Sequence, residues 1–259
     1  MNTFRQNALG AGLLFVVADV VGPFAFPALA FLNEPGYLAT TASHSTSLMV
    51  GVLLILAMEL ACSGIAVWLY PVLSKEHEAM ALWAVVFRGI EAICGIVAAV
   101  ALLALIPLSQ AFLAAGAPET SSFQALGTMI VSTSDWTRDV VMLFAWGLGA
   151  LLYNILFFKS GLLPRWLAGW GIVAILVHVA SCGLRLFDVI GPTSPLQVAM
   201  LVPSGLQELT LAVWLIIKGF DPSTVARLSA REASASAPRE PKAVSVLTDT
   251  GRPQPQGAL

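Results

Sequence analysis

The chain has 259 residues, 58% of them hydrophobic and 11% charged, with a formal net charge of −2. Soluble domains carry about 25% charged residues, so this composition, with a mean hydropathy of +0.84, excludes an ordinary soluble domain and points to the membrane. The faintly acidic balance offers no basic footprint for nucleic acid, which is not expected as a partner.

A helix needs about 20 mostly apolar residues to cross a bilayer. Six stretches qualify in chain order: 8–31, 48–72, 80–107, 136–158, 166–187 and 196–217. None alternates with period two, as the strands of a membrane barrel do. The bilayer core has no water to solvate a backbone, so each span must satisfy its own and is predicted helical. The expected fold is all-α, a polytopic bundle of six transmembrane helices over residues 1–220. Residues 221–259 are rich in Ala, Ser, Pro and Arg. They have too little apolar surface to offset the entropy of ordering and are expected to form a disordered cytoplasmic tail. A competing reading concerns the first span. Arg5, an apolar stretch and Ala28-Leu29-Ala30 have the layout of a secretory signal with its cleavage site. Asp19 interrupts that apolar core and the run continues past the site, which favours an uncleaved span.

Basic residues set the expected orientation. Ten of the thirteen fall on one side of a six-span chain: Arg5, Lys75, Lys159, Arg165, Lys218, Arg227, Arg231, Arg239, Lys242 and Arg252. The loops of the other side, 32–47, 108–135 and 188–195, contain none. By the positive-inside rule both termini are expected in the cytoplasm. Trp68, Tyr70, Trp83, Trp166, Trp170 and Trp214 lie near the same ends of their spans, where an interfacial aromatic belt belongs.

The remaining charges lie within the spans or at their ends. In "VVFRGIEAIC", residues 85–94, Arg88 and Glu91 interrupt a long apolar run. At a rise of 1.5 Å per residue they lie roughly 12 and 17 Å from the start of the third span, near the middle of the bilayer. Their spacing of three places them on one helix face, where they can pair. Gly95 and Ala99 on the same span allow close approach of a neighbouring helix. Asp19, Glu59, Glu208 and His178 reach a similar depth of roughly 15–18 Å by the same rise. Four acids beside one arginine would carry −3 if all were ionised. The expectation is that Arg88 keeps one or two ionised partners, with Glu208 as its partner from another helix. Such midplane charges commonly mark ion or proton pathways. The alternative is a polar knot that only fixes helix packing, and both readings stay open at this point. A second group, Arg138, Asp139, Arg185 and Asp188, sums to zero and falls at the outer boundary, where interfacial water and snorkelling account for it.

No zinc-protease helix, nucleophile elbow or phosphate-binding loop is present, so no catalytic residue is assigned. Cys62, Cys94 and Cys182 lie in apolar runs and form no disulfide framework. His178 and Cys182 are one helical turn apart, too little for a metal assignment. His44 and His77 fall in loops on opposite sides, which argues against bis-histidine haem. No metal and no cofactor are expected.

"ALWAVVFRGIEA", "LFAWGLGALLYNILFFKSGLLPRWLAGWG" and "QELTLAVWLIIKGF" resemble the bacterial domain of unknown function 4386 family, short integral membrane proteins with about six helices. The match rests on Arg88 early in the third span, the Lys-Ser-Gly turn with its Pro-Arg at Lys159 to Arg165, and Glu208 in the last span. It covers about residues 8 to 220. The resemblance implies a fold and an address, the bacterial inner membrane, and no reaction. The expected function is that of a small proton-coupled transporter or carrier, with a proton or small molecule as ligand and the lipid bilayer as partner. The alternatives are a scaffold or accessory subunit and, behind both, an intramembrane enzyme acting on lipid or quinone.

Overall fold

The computed structural model describes residues 3–117, 122–191 and 194–236. Its helices are α1 (Thr3–Leu29), α2 (Tyr37–Thr41), α3 (Ser45–Leu102), α4 (Leu105–Ala114), α5 (Ser122–Trp136), α6 (Leu143–Ser160), α7 (Arg165–Leu186), α8 (Pro195–Ile217) and α9 (Pro222–Ser236). A 3-10 turn, Ala30–Asn33, follows α1, and a π-helical segment, Thr137–Met142, joins α5 to α6. There is no strand among the described residues.

A straight α3 of 58 residues would be roughly 87 Å long at 1.5 Å per residue, almost three times the hydrocarbon core. It is not straight. His77 is extended (φ −158°, ψ 99°), and its ring Nδ1 accepts from the Met80 backbone N–H at 3.3 Å, in the manner of an N-cap. The chain folds back there, bringing Arg88 against the Cys62 carbonyl. The single run of helix is thus two spans, 45–76 and 78–102. Five helices among the described residues are long and apolar enough to cross a membrane, and the break at His77 divides one of them into two spans, giving six with α1, the α5–α6 helix, α7 and α8. Their contacts close a ring: α1 packs on α3 and α8, α3 on α6, α6 on α7 and α7 on α8. Large apolar side chains such as Leu53, Leu60, Val97, Val173 and Ile217 are exposed on its outside, as a helix facing lipid requires.

The N-terminus and the turns near residues 77, 161 and 219 gather on one face, here the terminal face. Arg5 donates to the carbonyls of Leu215 at 3.0 Å and Ile216 at 2.5 Å, capping the orphan end of α8. The Lys75 ammonium stands 5.7 Å over the Phe4 ring. Gly161 takes the left-handed conformation (φ 77°) that ends α6, and its N–H donates to the Phe157 carbonyl at 3.0 Å.

Two expectations need correction. Helix does not begin at 136, where the fourth span was expected to start: α5 precedes it from Ser122 and packs on α3 and α4, with the Ser134 hydroxyl donating to the Ala98 carbonyl at 3.0 Å. Nor does order stop at Asp221. Asp221 caps α9, its Oδ2 accepting from the Thr224 N–H at 2.8 Å and the Ser223 hydroxyl at 2.5 Å. These bonds hold the Asp221 carboxyl below its ordinary value, the Ser223 hydroxyl contributing most and the Thr224 N–H next. Helix α9 then docks through buried Leu228, and Arg227 donates to the Ser160 carbonyl at 2.6 Å. A tail poor in apolar residues is ordered over 222–236 because one leucine and one arginine find fixed partners. Residues 237–259, also expected to be disordered, lie outside the described residues.

Candidate functional site: a midplane layer of buried charge

Arg88 is the largest side chain among the fully buried ones, at 1% exposure. The second and third spans hold it. Its Nε lies 3.1 Å from Glu91 Oε2, one turn along the same helix, and its Nη2 reaches the Cys62 carbonyl at 3.5 Å. The Glu91 contact is an ion pair without good hydrogen-bond geometry, since neither atom has a hydrogen-bond partner. The Cys62 thiol points at the Glu91 carboxylate as well.

Glu59 is buried to 1% exposure, and neither of its carboxylate oxygens has a hydrogen-bond partner. Its seat is made by Gly95: a Cβ there would overlap the Glu59 carboxylate. The small residue noted in the third span thus admits an acid from the second. Donor atoms of Glu59, Cys62 and Glu91 all lie within 4.8 Å of one another. That spacing would suit a cation, but Arg88 already supplies positive charge beside Glu91, which weakens the case for a metal.

Asp19 on α1 and Glu208 on α8 approach from the other side of the ring. Both are half-buried, and both feel the Arg88 charge. The expected Arg88–Glu208 pair is not formed; among the described residues Arg88 pairs with Glu91. Glu208 Oε1 instead accepts from the Tyr153 hydroxyl of α6 at 3.1 Å, and the Trp146 indole N–H also lies within reach. The third and sixth spans are not neighbours, because α6 packs beside α3 and carries Tyr153 into the gap. Asp19 Oδ2 has no partner.

His178 is buried but stands apart from Arg88. Its ring lies 4.4 Å from that of Trp146, and its Nδ1 is 2.9 Å from the Ser204 hydroxyl. Further along the same helices Gln207 donates to Asn154 Oδ1 at 3.3 Å. A Cβ on Gly171 would collide with Asn154.

A family model, Domain of unknown function (DUF4386), matches residues 10–219. The chain belongs to this family. No curated protein and no solved structure matches it.

The second expected group is gathered on the face opposite the termini of this DUF4386 protein. Arg138 pairs with Asp139 at 3.0 Å and with Asp135 at 2.9 Å. Arg185 lies 3.8 Å from Asp139 and 3.6 Å from Asp188, with its guanidinium 4.7 Å over the Trp136 ring. The π-helical segment carries Arg138 and Asp139. Sequence reasoning missed Asp135, Tyr153, Trp146, Asn154 and Gln207. A polar pair in a greasy run, Tyr153-Asn154, and the Gln207 that precedes Glu208 were the available signals.

Proposed function

We propose that this protein is a small proton-handling carrier of the bacterial inner membrane, with the midplane carboxylates taking up and releasing protons as a small solute moves. The observation that carries the reading is Glu59. It is fully buried without a hydrogen-bond partner for either oxygen, while the cation that acts on it, Arg88, already pairs with Glu91. Three negative charges in excess at mid-depth cannot all persist in hydrocarbon, and protons are the simplest species to remove them. The scaffold reading has its own support. The Arg88–Glu91 and Arg88–Cys62 contacts tie the second and third spans to each other and the Tyr153–Glu208 bond ties α6 to α8, and the surface pockets beside Gly161 and beside Asn33 are not lined by these residues.

The test is proton movement in proteoliposomes with a trapped pH dye. An imposed pH gradient should dissipate faster with the wild type than with Glu59→Gln of equal thermal stability. Equal rates would favour the scaffold. The placement of basic residues supports cytoplasmic termini. An impermeant thiol reagent on intact cells should then label Ser43→Cys and spare Ser234→Cys in a background without native thiols. The reverse pattern would invert the orientation.

A further inference from the structure

Some of the buried polar atoms without a hydrogen-bond partner are gathered together. Five lie on one seam between α7, α8 and the π-helical segment with α6: Asp139 Oδ2 and Arg185 Nε, which face each other as an ion pair at 3.8 Å with no hydrogen bond, and Gln197 Oε1, His178 Nε2 and Gln207 Oε1. Native proteins leave few such atoms, and bound water is the usual partner. The seam starts at the face opposite the termini, where Arg138 and Asp188 are open to solvent. It continues past Gln197, whose Nε2 is 3.5 Å from the Ser181 hydroxyl, to His178 and Ser204. The Ser204 hydroxyl donates to the Leu201 carbonyl at 2.7 Å. Its oxygen must therefore accept from His178 Nδ1–H, which leaves Nε2 of the neutral ring as a buried acceptor in need of a donor. Trp146 bridges from His178 to Glu208, and Gln207 adjoins Glu208 on α8.

The terminal half of the same three helices is the reverse. Leu156, Phe157, Leu162, Leu167, Leu211 and Leu215 are all at 0% exposure and form one apolar cluster. A site with no polar atoms stays dry.

We propose that water reaches the midplane carboxylates from the face opposite the termini, along the α6–α7–α8 seam, and that the leucine-rich terminal half is sealed. The path is read from the unpartnered atoms alone; its role in delivering protons rests on the carrier reading. The occupant is water, because four of these atoms are acceptors and one is a donor, each needs only a single small partner, and water can serve as either.

Hydroxyl-radical footprinting of the full-length protein in nanodiscs tests it, since side chains beside bound water are oxidised fastest. Rates are normalised to those of the unfolded chain. Trp146 and His178 should then be oxidised several-fold faster than Phe157. Equal protection of all three would overturn the path. Silver-ion labelling of single-cysteine variants in sealed proteoliposomes adds the side. Ser181→Cys should react only from the face opposite the termini, and Leu211→Cys from neither. Reaction of Leu211→Cys from the terminal face would overturn the seal. A seam that labels as expected in a protein that moves no protons supports the path and removes the carrier reading.

Discussion

Two groups of charged side chains in this protein use the same residue types at different depths, and they are built differently. At the boundary, Asp135, Arg138, Asp139, Arg185 and Asp188 alternate in sign, and Arg138 contacts two carboxylates at 2.9 and 3.0 Å. Asp188 is 85% exposed, so water can finish whatever the protein leaves unpaired. At mid-depth one guanidinium faces Glu91, with Glu59, Asp19 and Glu208 around it and several oxygens left without partners. Ion pairs near water are weak and replaceable, while an unbalanced group in the interior is held in place by everything packed around it. Depth, more than residue type, decides which group the fold depends on.

Removing the central cation should break the comparison most severely. Arg88→Ala leaves Glu91 buried and unpaired, and should cost about 3–5 kcal/mol of stability in detergent unfolding, the usual range for breaking a buried pair. The double-mutant cycle identifies the partner. Arg88→Ala with Glu91→Ala should be clearly milder than the sum of the single changes. The same cycle with Glu208→Ala should come closer to additive, because Tyr153 and not Arg88 holds that acid. Strong coupling to Glu208 and none to Glu91 would contradict the geometry.

The seat of Glu59 gives the next largest effect. Gly95→Ala puts a methyl into the carboxylate and should destabilise by about 1–3 kcal/mol, as overpacking does. Gly89→Ala on the same helix meets nothing within 4 Å and should be neutral or stabilising, by up to about 1 kcal/mol of helix propensity. Equal melting temperatures for the two variants would mean that Glu59 does not sit where the structure places it.

Outside the membrane the expected changes are smaller. Asp221→Ala removes the cap of α9, at about 1 kcal/mol, and limited proteolysis should cut within 222–236 sooner. The folded Asp221 carboxyl lies below its ordinary value, so its contribution is complete above that ordinary value. It is lost as the pH falls through the lowered one. Cleavage of α9 should therefore accelerate only in strong acid, and acceleration near neutrality would assign its docking to another group. Smallest of all, Arg138→Ala at the solvated boundary should change stability by less than about 1 kcal/mol, because Arg185 still pairs Asp139. A loss as large as that of Arg88→Ala would erase the distinction between the two groups.

Much of this arrangement could be read from the residues in order. Hydrophobic length marked the spans, and the rise per residue put Asp19, Glu59, Arg88, Glu91 and Glu208 in one layer. Depth arithmetic gives height along the bundle and says nothing of the angle around it. Glu208 was therefore matched to Arg88 at the right height, while α6 and Tyr153 stand between them. Tyr153 stood out in its apolar run, but its partner, 55 residues away, could not be read from the sequence. The helices α5 and α9 escaped for a different reason. Their Ser, Thr and charged residues have low hydropathy, and only tertiary partners, the Ala98 carbonyl for Ser134 and the Ser160 carbonyl for Arg227, show why they are ordered.

If buried carboxyls in the midplane layer hold exchangeable protons, infrared difference spectroscopy of the reconstituted protein reads them directly. A protonated-carboxyl carbonyl band should then change with pH, shift in heavy water and lose intensity in Glu59→Gln. Wild-type spectra with no protonated-carboxyl band at any pH between mild acid and mild base would contradict it.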